Sequence, residues 1–156
     1  MDGALPDMAK GLPKENTVKA LIVEDDFTSR LLLQEILKLY GTIHVAVNGK
    51  EALEAVRVAL EAREPYDLVC LDIMMPEMDG QEALKQIRLL EEKARIAVPD
   101  RVKIIMTTAL ADKANVLKAR ERQCDYFLVK PIDKAKLLQE LHKLGVIWTP
   151  GSWDAS

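Results

Sequence analysis

Five short apolar runs alternate along the chain with five segments of helical periodicity, and this alternation restricts the fold more than any other feature. The apolar runs predict strands at residues 18–23, 42–46, 67–71, 102–107 and 126–129. Strands that alternate with helices favour a parallel sheet with helices on both faces. Because crossovers between parallel strands are right-handed, few other topologies remain. We therefore predict a doubly wound α/β fold.

Residues that favour helix ends lie between the predicted strands. Asn48 and Asp79 are predicted N-caps, because each is followed three positions later by a glutamate. Gly41 is predicted to end the first helix. The second helix is predicted to bury a face formed by Leu53, Val56 and Leu60.

The chain has 156 residues, which predicts one domain with short extensions. Residues 1–16 contain two glycines and two prolines and lack a lasting apolar period, so we expect a flexible N-terminal extension. The domain is expected to cover residues 17–146. Residues 147–156 are expected to form a flexible tail or the start of a linker.

Charge and hydropathy argue against several classes of protein. The net charge is −3, which gives no basic surface for direct contact with nucleic acid. No apolar run approaches the roughly 20 residues of a membrane helix, and the N-terminus lacks the apolar core of a signal peptide. We expect a cytoplasmic protein that does not bind membranes. Cys70 and Cys124 are expected to be reduced thiols.

Polar and charged residues occur where the predicted strands end. Glu24 and Asp25 follow the first strand, Asp72 the third, Thr108 the fourth and Lys130 the fifth. In open α/β sheets ligands bind at the carboxyl ends of the strands, so these groups are expected to converge. Three carboxylates in one crevice repel each other unless a cation lies among them. A ligand set of oxygens selects a hard cation, and we predict Mg²⁺.

The same groups are suited to phosphoryl transfer. A carboxylate such as Asp72 can attack a phosphoryl group and form an aspartyl phosphate. The Lys130 ammonium and the Thr108 hydroxyl would meet the negative charge on the transferring oxygens. Taken singly, each residue has an ordinary structural explanation as a helix cap, a turn residue, a surface lysine or a strand-end hydroxyl. The prediction of a phosphoryl-transfer site depends on four strands placing complementary groups at one edge of the sheet.

The motifs that carry these groups resemble those of response-regulator receiver domains (CheY-like) of two-component signal transduction. The matching positions are Val23-Glu24-Asp25 with Arg30, Asp72-x-x-Met75-Pro76-x-Met78-Asp79-Gly80, Thr108-Ala109 and Lys130-Pro131. The resemblance covers about residues 18–144. It implies a flavodoxin-like (βα)5 fold whose five-stranded parallel sheet has the order 2-1-3-4-5.

The resemblance implies a role for each matching residue at the metal site. Asp72 would be phosphorylated by the phosphohistidine of a histidine kinase or a histidine phosphotransfer protein. Mg²⁺ would be bound by Asp25, Asp72 and the main-chain carbonyl of Met74, and Glu24 would contribute through a coordinated water. The domain would catalyse its own phosphorylation and slow dephosphorylation.

The resemblance also implies a conformational switch. Thr108 and Lys130 would bind the phosphoryl oxygens, and Phe127 would change rotamer as Thr108 moves inward. The Lys130-Pro131 bond is expected to be cis. The surface of the fourth helix, fifth strand and fifth helix would then control a downstream effector protein, and a phosphorylation-dependent dimer is left open.

Some positions depart from the usual pattern of the family. Gln123 stands where glycine is common, which predicts a strained positive φ or a reshaped loop. Met74 and Leu110 are apolar at the positions that flank the path of an attacking water, so we predict slow self-dephosphorylation. Residues 91–101 form a longer connection than the family's minimal loop.

Four alternatives to a stand-alone receiver remain open from the sequence. The first is a receiver excised from a larger multidomain regulator. The chain could instead be a non-phosphorylated receiver-like interaction module, although the complete set of site residues argues against this. A small aspartyl phosphatase would need an acid at the position of Met74. A nucleotide-binding flavodoxin-like protein would need a glycine-rich loop after the first strand.

Overall fold

The structure is a computed structural model that describes residues 17–75, 77–109 and 113–147. Five parallel strands form one sheet in the order β2-β1-β3-β4-β5. The strands are β1 (Val18–Val23), β2 (Gly41–Ala46), β3 (Leu68–Asp72), β4 (Lys103–Thr108) and β5 (Tyr126–Val129). The helices are α1 (Phe27–Leu37), α2 (Gly49–Glu61), α3 (Gly80–Lys93), α4 (Lys113–Glu121) and α5 (Lys134–Lys143), and a 3-10 helix covers Val98–Asp100. The predicted flavodoxin-like fold and strand order are confirmed.

The sheet separates two apolar cores, because alternate residues of each strand point to opposite faces. One core contains buried residues of α2, α3 and α4, among them Val56, Ile87 and Ala119. The other contains buried residues of α1 and α5, among them Leu33 and Leu137. Helices therefore cover both faces of the sheet, as predicted.

The register of the strands places their carboxyl ends at one edge. In β3, Leu71 lies opposite Val23 of β1, and Asp72 lies opposite Thr107 of β4. The third and fourth strands each begin and end one residue later than predicted, so that Asp72 and Thr108 end them. Among the helices of the described ranges, none is long and apolar enough to span a membrane.

The two predicted N-caps are confirmed. The Asn48 side chain accepts a hydrogen bond from the Glu51 N–H at 2.8 Å, and the Asp79 side chain accepts one from the Glu82 N–H at 2.9 Å. The prediction for Gly41 is wrong, since α1 ends at Leu37 and Gly41 begins β2. A Cβ there would lie 1.9 Å from the Val18 carbonyl oxygen, so the close approach of β1 requires glycine.

The buried face of α2 also differs from the prediction. Its buried positions include Ala52, Val56 and Ala59, whereas Leu53 and Leu60 pack at the margin of the core. Two of these three buried positions are alanines, whose small side chains let the backbone of α2 lie close to the core. Gly49, in its first turn, would place a Cβ 2.4 Å from the Met78 carbonyl oxygen.

A buried polar network follows α3 and was missed in the sequence. The Arg88 guanidinium, on a side chain 9% exposed, pairs with Glu91 at 2.6 Å and with Asp125 at 3.0 Å. It also donates to the carbonyl oxygens of Val102 and Gln123. Glu91 in turn accepts a hydrogen bond from the Val102 N–H at 2.7 Å. This network anchors both ends of the longer connection that precedes β4.

Gln123 adopts a φ of +68°, which is the first of the two outcomes predicted for this position, a strained positive φ or a reshaped loop. Its carbonyl oxygen accepts two hydrogen bonds from Arg88, at 3.0 and 2.8 Å. These contacts offset the strain of a left-handed residue that is not glycine. The predictions for residues 1–16, Pro76, Leu110 and residues 148–156 lie outside the described residues.

Candidate functional site

Three carboxylates meet at the carboxyl edge of the sheet. Asp72 ends β3 and is 3% exposed, and Glu24 directly follows β1 and is 1% exposed. Asp25 is the exposed member of the group. Each of the three offers a carboxylate oxygen that lies within 4.8 Å of the other two. The structure therefore brings together the acidic residues that the sequence predicted to converge.

Lys130 supplies the positive charge at this edge. Its Nζ lies 2.7 Å from Glu24 Oε1 and 3.4 Å from Asp72 Oδ2. The backbone N–H of Lys130 donates to the Thr108 carbonyl oxygen at 2.7 Å, which joins β5 to the end of β4. The Lys130-Pro131 peptide bond is cis, as the resemblance implied.

The crowding of charge changes the acidity of the site. Burial, and then the neighbouring Glu24 carboxylate, raise the pKa of Asp72 to about 7, although Lys130 acts in the opposite direction. Burial alone would lower the pKa of Lys130, but Glu24 and Asp72 outweigh it and the pKa is raised. Lys130 is therefore a cation, and a bound metal ion would favour the carboxylate form of Asp72.

The third acid of the Glu24-Asp25-Asp26 run has a structural role. Asp26 is the N-cap of α1, and its side chain accepts a hydrogen bond from the Ser29 N–H at 2.8 Å. This hydrogen bond from the Ser29 backbone lowers the pKa of Asp26. The Asp26 N–H donates to Glu24 Oε2 at 3.2 Å, and Arg30 Nη1 donates to the Glu24 carbonyl oxygen at 3.1 Å. These contacts hold Glu24 in place.

The loop after Asp72 returns to the strand end. The Gly80 N–H donates to the Ile73 carbonyl oxygen at 2.8 Å. A Cβ at Gly80 would lie 2.2 Å from the Asp72 carbonyl oxygen, so the backbone of α3 touches that of β3 at the site. The glycine in the Asp72–Gly80 motif is required by this close approach.

The remaining predicted residues lie around the carboxylates. Thr108 is buried at the end of β4. Phe127, in β5, is partly buried and packs against the core that contains Met106, its partner in register. Met74 is 61% exposed. A residue that the sequence interpretation missed is Thr107, whose buried hydroxyl has no hydrogen-bond partner among the described residues.

The donor set fits a hard divalent cation. All three converging groups are carboxylates, and the described residues place no histidine or cysteine among them. Glu24, Asp25 and Asp72 could hold such an ion. The arrangement combines a site for a cation, a carboxylate near it and a lysine ammonium.

The sequence of this domain matches a known protein family. Residues 20–142 match the sequence model of the response regulator receiver domain. The chain belongs to this family. Chemotaxis protein CheY of Listeria monocytogenes is 35% identical over 126 residues, which cover 81% of this chain and 97% of that protein. Osmosensing histidine protein kinase SLN1 of Saccharomyces cerevisiae is 31% identical over 135 residues, which cover 85% of this chain and 10% of that kinase.

Solved receiver structures are similar to this one. The CheX–CheY–BeF3–Mg²⁺ complex from Borrelia burgdorferi contains a chain with 29% identity and a TM-score of 0.70, covering 85% of this chain and 92% of that chain. The co-crystal structure of the Saccharomyces cerevisiae histidine phosphotransfer protein Ypd1 with the receiver domain of Ssk1 gives 26% identity and a TM-score of 0.71, covering 90% and 99%. The receiver relatives thus include bacterial and eukaryotic proteins.

Proposed function

We propose that this receiver domain accepts a phosphoryl group on Asp72 from a phosphohistidine in a Mg²⁺-dependent reaction. The phosphorylated domain then controls a downstream protein through the surface formed by α4, β5 and α5. The observation that carries this proposal is the convergence of Glu24, Asp25 and Asp72 with the Lys130 ammonium. The membership of the receiver family supports the same reaction.

The proposed transfer exchanges one bond to phosphorus for another. An Asp72 carboxylate oxygen attacks the phosphorus, and the nitrogen–phosphorus bond of the phosphohistidine breaks as the oxygen–phosphorus bond forms. The electron pair of the broken bond stays with the imidazole, which takes up a proton from solvent. Lys130, already 3.4 Å from Asp72, can move its ammonium onto the negative charge of the transferring group.

Mg²⁺, when bound, would neutralise charge on the carboxylates and on the phosphoryl oxygens. We assign its binding to Glu24, Asp25 and Asp72, with the Met74 carbonyl oxygen as a further ligand. The oxygen-only donor set supports this assignment. The Borrelia burgdorferi complex, which contains Mg²⁺ and BeF3, is a related case.

The proposed switch uses Thr108 and Phe127. Thr108 ends the strand next to β3 and would bind a phosphoryl oxygen. Phe127 lies on the neighbouring strand and packs into the core that lies under α4. An inward movement of Thr108 would therefore change the space available to Phe127. Phosphorylation would shift the populations of two arrangements of this surface.

The proposed phosphodonor is a histidine kinase or a histidine phosphotransfer protein. The complex of Ypd1 with the Ssk1 receiver domain is a related pairing.

The receiver domain is proposed to span residues 17–146. The matched region corresponds to 10% of the length of the SLN1 kinase. A cytoplasmic location remains a prediction, which subcellular fractionation tests.

Intact-mass spectrometry after incubation with acetyl phosphate tests the proposed chemistry. We expect a gain of one phosphoryl group with Mg²⁺ and none after chelation. Asp72→Asn should abolish the gain, whereas Asp100→Asn, at an exposed position in the 3-10 helix, should leave it intact. A folded, Mg²⁺-binding protein that gains no mass would instead support a non-phosphorylated interaction module.

A further inference from the structure

The helix α4 has few buried contacts for its length. It has nine residues, and Ala119 is the buried one. Leu117 is 48% exposed and the charged residues of the helix face solvent. Such a helix gains little free energy from apolar burial, so its position depends strongly on polar contacts with neighbouring elements.

Two polar contacts connect this helix to a single residue of α3. Gln81 is 3% exposed, and its Nε2 donates to the Asn115 carbonyl oxygen at 3.0 Å, in the first half of α4. Arg122, directly after α4, donates from Nη1 to the Gln81 carbonyl oxygen at 2.9 Å. Gln81 thus contacts both ends of α4.

Gln81 is also next to the acceptor residue in space. It follows Gly80, whose N–H donates to the Ile73 carbonyl oxygen and where an added Cβ would lie 2.2 Å from the Asp72 carbonyl oxygen. Two hydrogen bonds therefore connect the strand end at Asp72 to the guanidinium of Arg122. The Gly80 N–H binds the Ile73 carbonyl oxygen, and the Gln81 carbonyl oxygen binds Arg122. The route runs through the backbone of α3, and it shares no residue with the pair Thr108 and Phe127.

We propose that Arg122 and Gln81 tether α4 to the first turn of α3, which contacts the end of β3 at Asp72, so that a change at this strand end on phosphorylation shifts α4. Arg122 is a positioning residue in this proposal, because it acts through Gln81 and touches no reacting atom. The inference rests on the proposed phosphorylation of Asp72. It adds a second connection between that residue and the signalling surface.

The Arg88 network holds the C-terminal end of α4 more firmly than its N-terminal end. Arg88 binds the Gln123 carbonyl oxygen and Asp125, just beyond the helix, with a buried guanidinium. That end is held by several charge-assisted hydrogen bonds, which are stronger than neutral ones. The Gln81–Asn115 hydrogen bond is neutral, so the first turn of α4 is expected to move further.

Hydrogen exchange of the full chain tests the tether without phosphorylation. Arg122→Met keeps most of the apolar stem and removes the donor. We expect the amides of α4 to exchange about two- to tenfold faster, the range for loss of one net hydrogen bond, with the amides of α1 unchanged. Arg120→Met is the matched control on an exposed arginine of the same helix, and should match the parent protein. Arg122→Lys should restore part of the protection.

The rate of phosphorylation by acetyl phosphate tests the coupling. If the tether couples the position of α4 to Asp72, Arg122→Met changes the initial rate of mass gain at least twofold, and Arg120→Met does not. Unchanged exchange in α4 overturns the tether. Faster exchange with an unchanged rate of mass gain overturns the coupling. The absence of any mass gain in the parent protein would contradict the proposed function itself, and the exchange data would still decide the tether.

Discussion

Replacing Gly80 with alanine is expected to displace the strand end that carries Asp72. The added Cβ would lie 2.2 Å from the Asp72 carbonyl oxygen and 2.8 Å from the Ile73 Cα. These are backbone atoms, so no side-chain rotation can relieve the contacts. Ordinary van der Waals contact begins at 3.4 Å, and a shift of about 1 Å is needed.

Two consequences of this shift can be measured. Overpacking of this kind costs about 1–3 kcal/mol, which lowers the Tm by roughly 3–12 °C. A misplacement of about 1 Å in a reacting group can slow a reaction by about 100-fold. We therefore expect Gly80→Ala to slow phosphorylation by acetyl phosphate by one to two orders of magnitude, measured by intact mass under conditions where the variant stays folded.

Gly145→Ala is the matched control for this experiment. Gly145 has a φ of +78°, and a Cβ there meets nothing within 4 Å. Alanine at this φ costs about 1 kcal/mol of stability without moving the site. The control should lose stability and keep its rate of phosphorylation. A Gly80→Ala protein with the stability and rate of the parent would refute the argument that this contact positions Asp72.

Three further outcomes are expected from single sites. Lys130→Met removes the ammonium at the site and should slow phosphorylation by about 100-fold; a rate within twofold of the parent in the mass assay would contradict its role. Arg88→Met leaves Glu91 buried without its charged partner and should cost about 3–5 kcal/mol in urea denaturation. The double variant with Glu91→Leu should recover only part of this loss, because the Val102 N–H and the Gln123 carbonyl oxygen then lack their side-chain partners. Burial raises the pKa of the Cys70 thiol to about 12, so alkylation of Cys70 in the folded protein should stay slow as the pH rises to about 10. Peptide mapping separates its labelling from that of the partly buried Cys124, and fast labelling of Cys70 without denaturant would contradict that burial.

The sequence predicted the fold because its signals are local. The alternation of apolar runs and helical segments gave the five strands and five helices, and the resemblance implied the strand order. Glu24, Asp72 and Lys130 could be predicted to meet because parallel strands end at the same edge of the sheet. The positive φ of Gln123 is one of the two outcomes that the sequence left open, the other being a reshaped loop.

Other features could not be predicted because they join residues far apart in the sequence. The contact of Arg88 with Gln123 spans 35 positions, and that of Arg122 with Gln81 spans 41. No periodicity marks such pairs, since a buried arginine on α3 looks like a solvent-facing one in the sequence. The sequence predicts a helix end at Gly41 because it does not show that β1 passes within contact of this residue.

The identity of the phosphorylated carboxylate is the central claim, and one measurement tests it most directly. The protein is incubated with acetyl phosphate and Mg²⁺, reduced with borohydride, which converts an aspartyl phosphate to homoserine, and mapped by peptide mass spectrometry. The proposed chemistry predicts homoserine at Asp72 in the peptide that contains the end of β3. Homoserine at Asp25 or at any other acidic residue, with Asp72 unchanged, would contradict it.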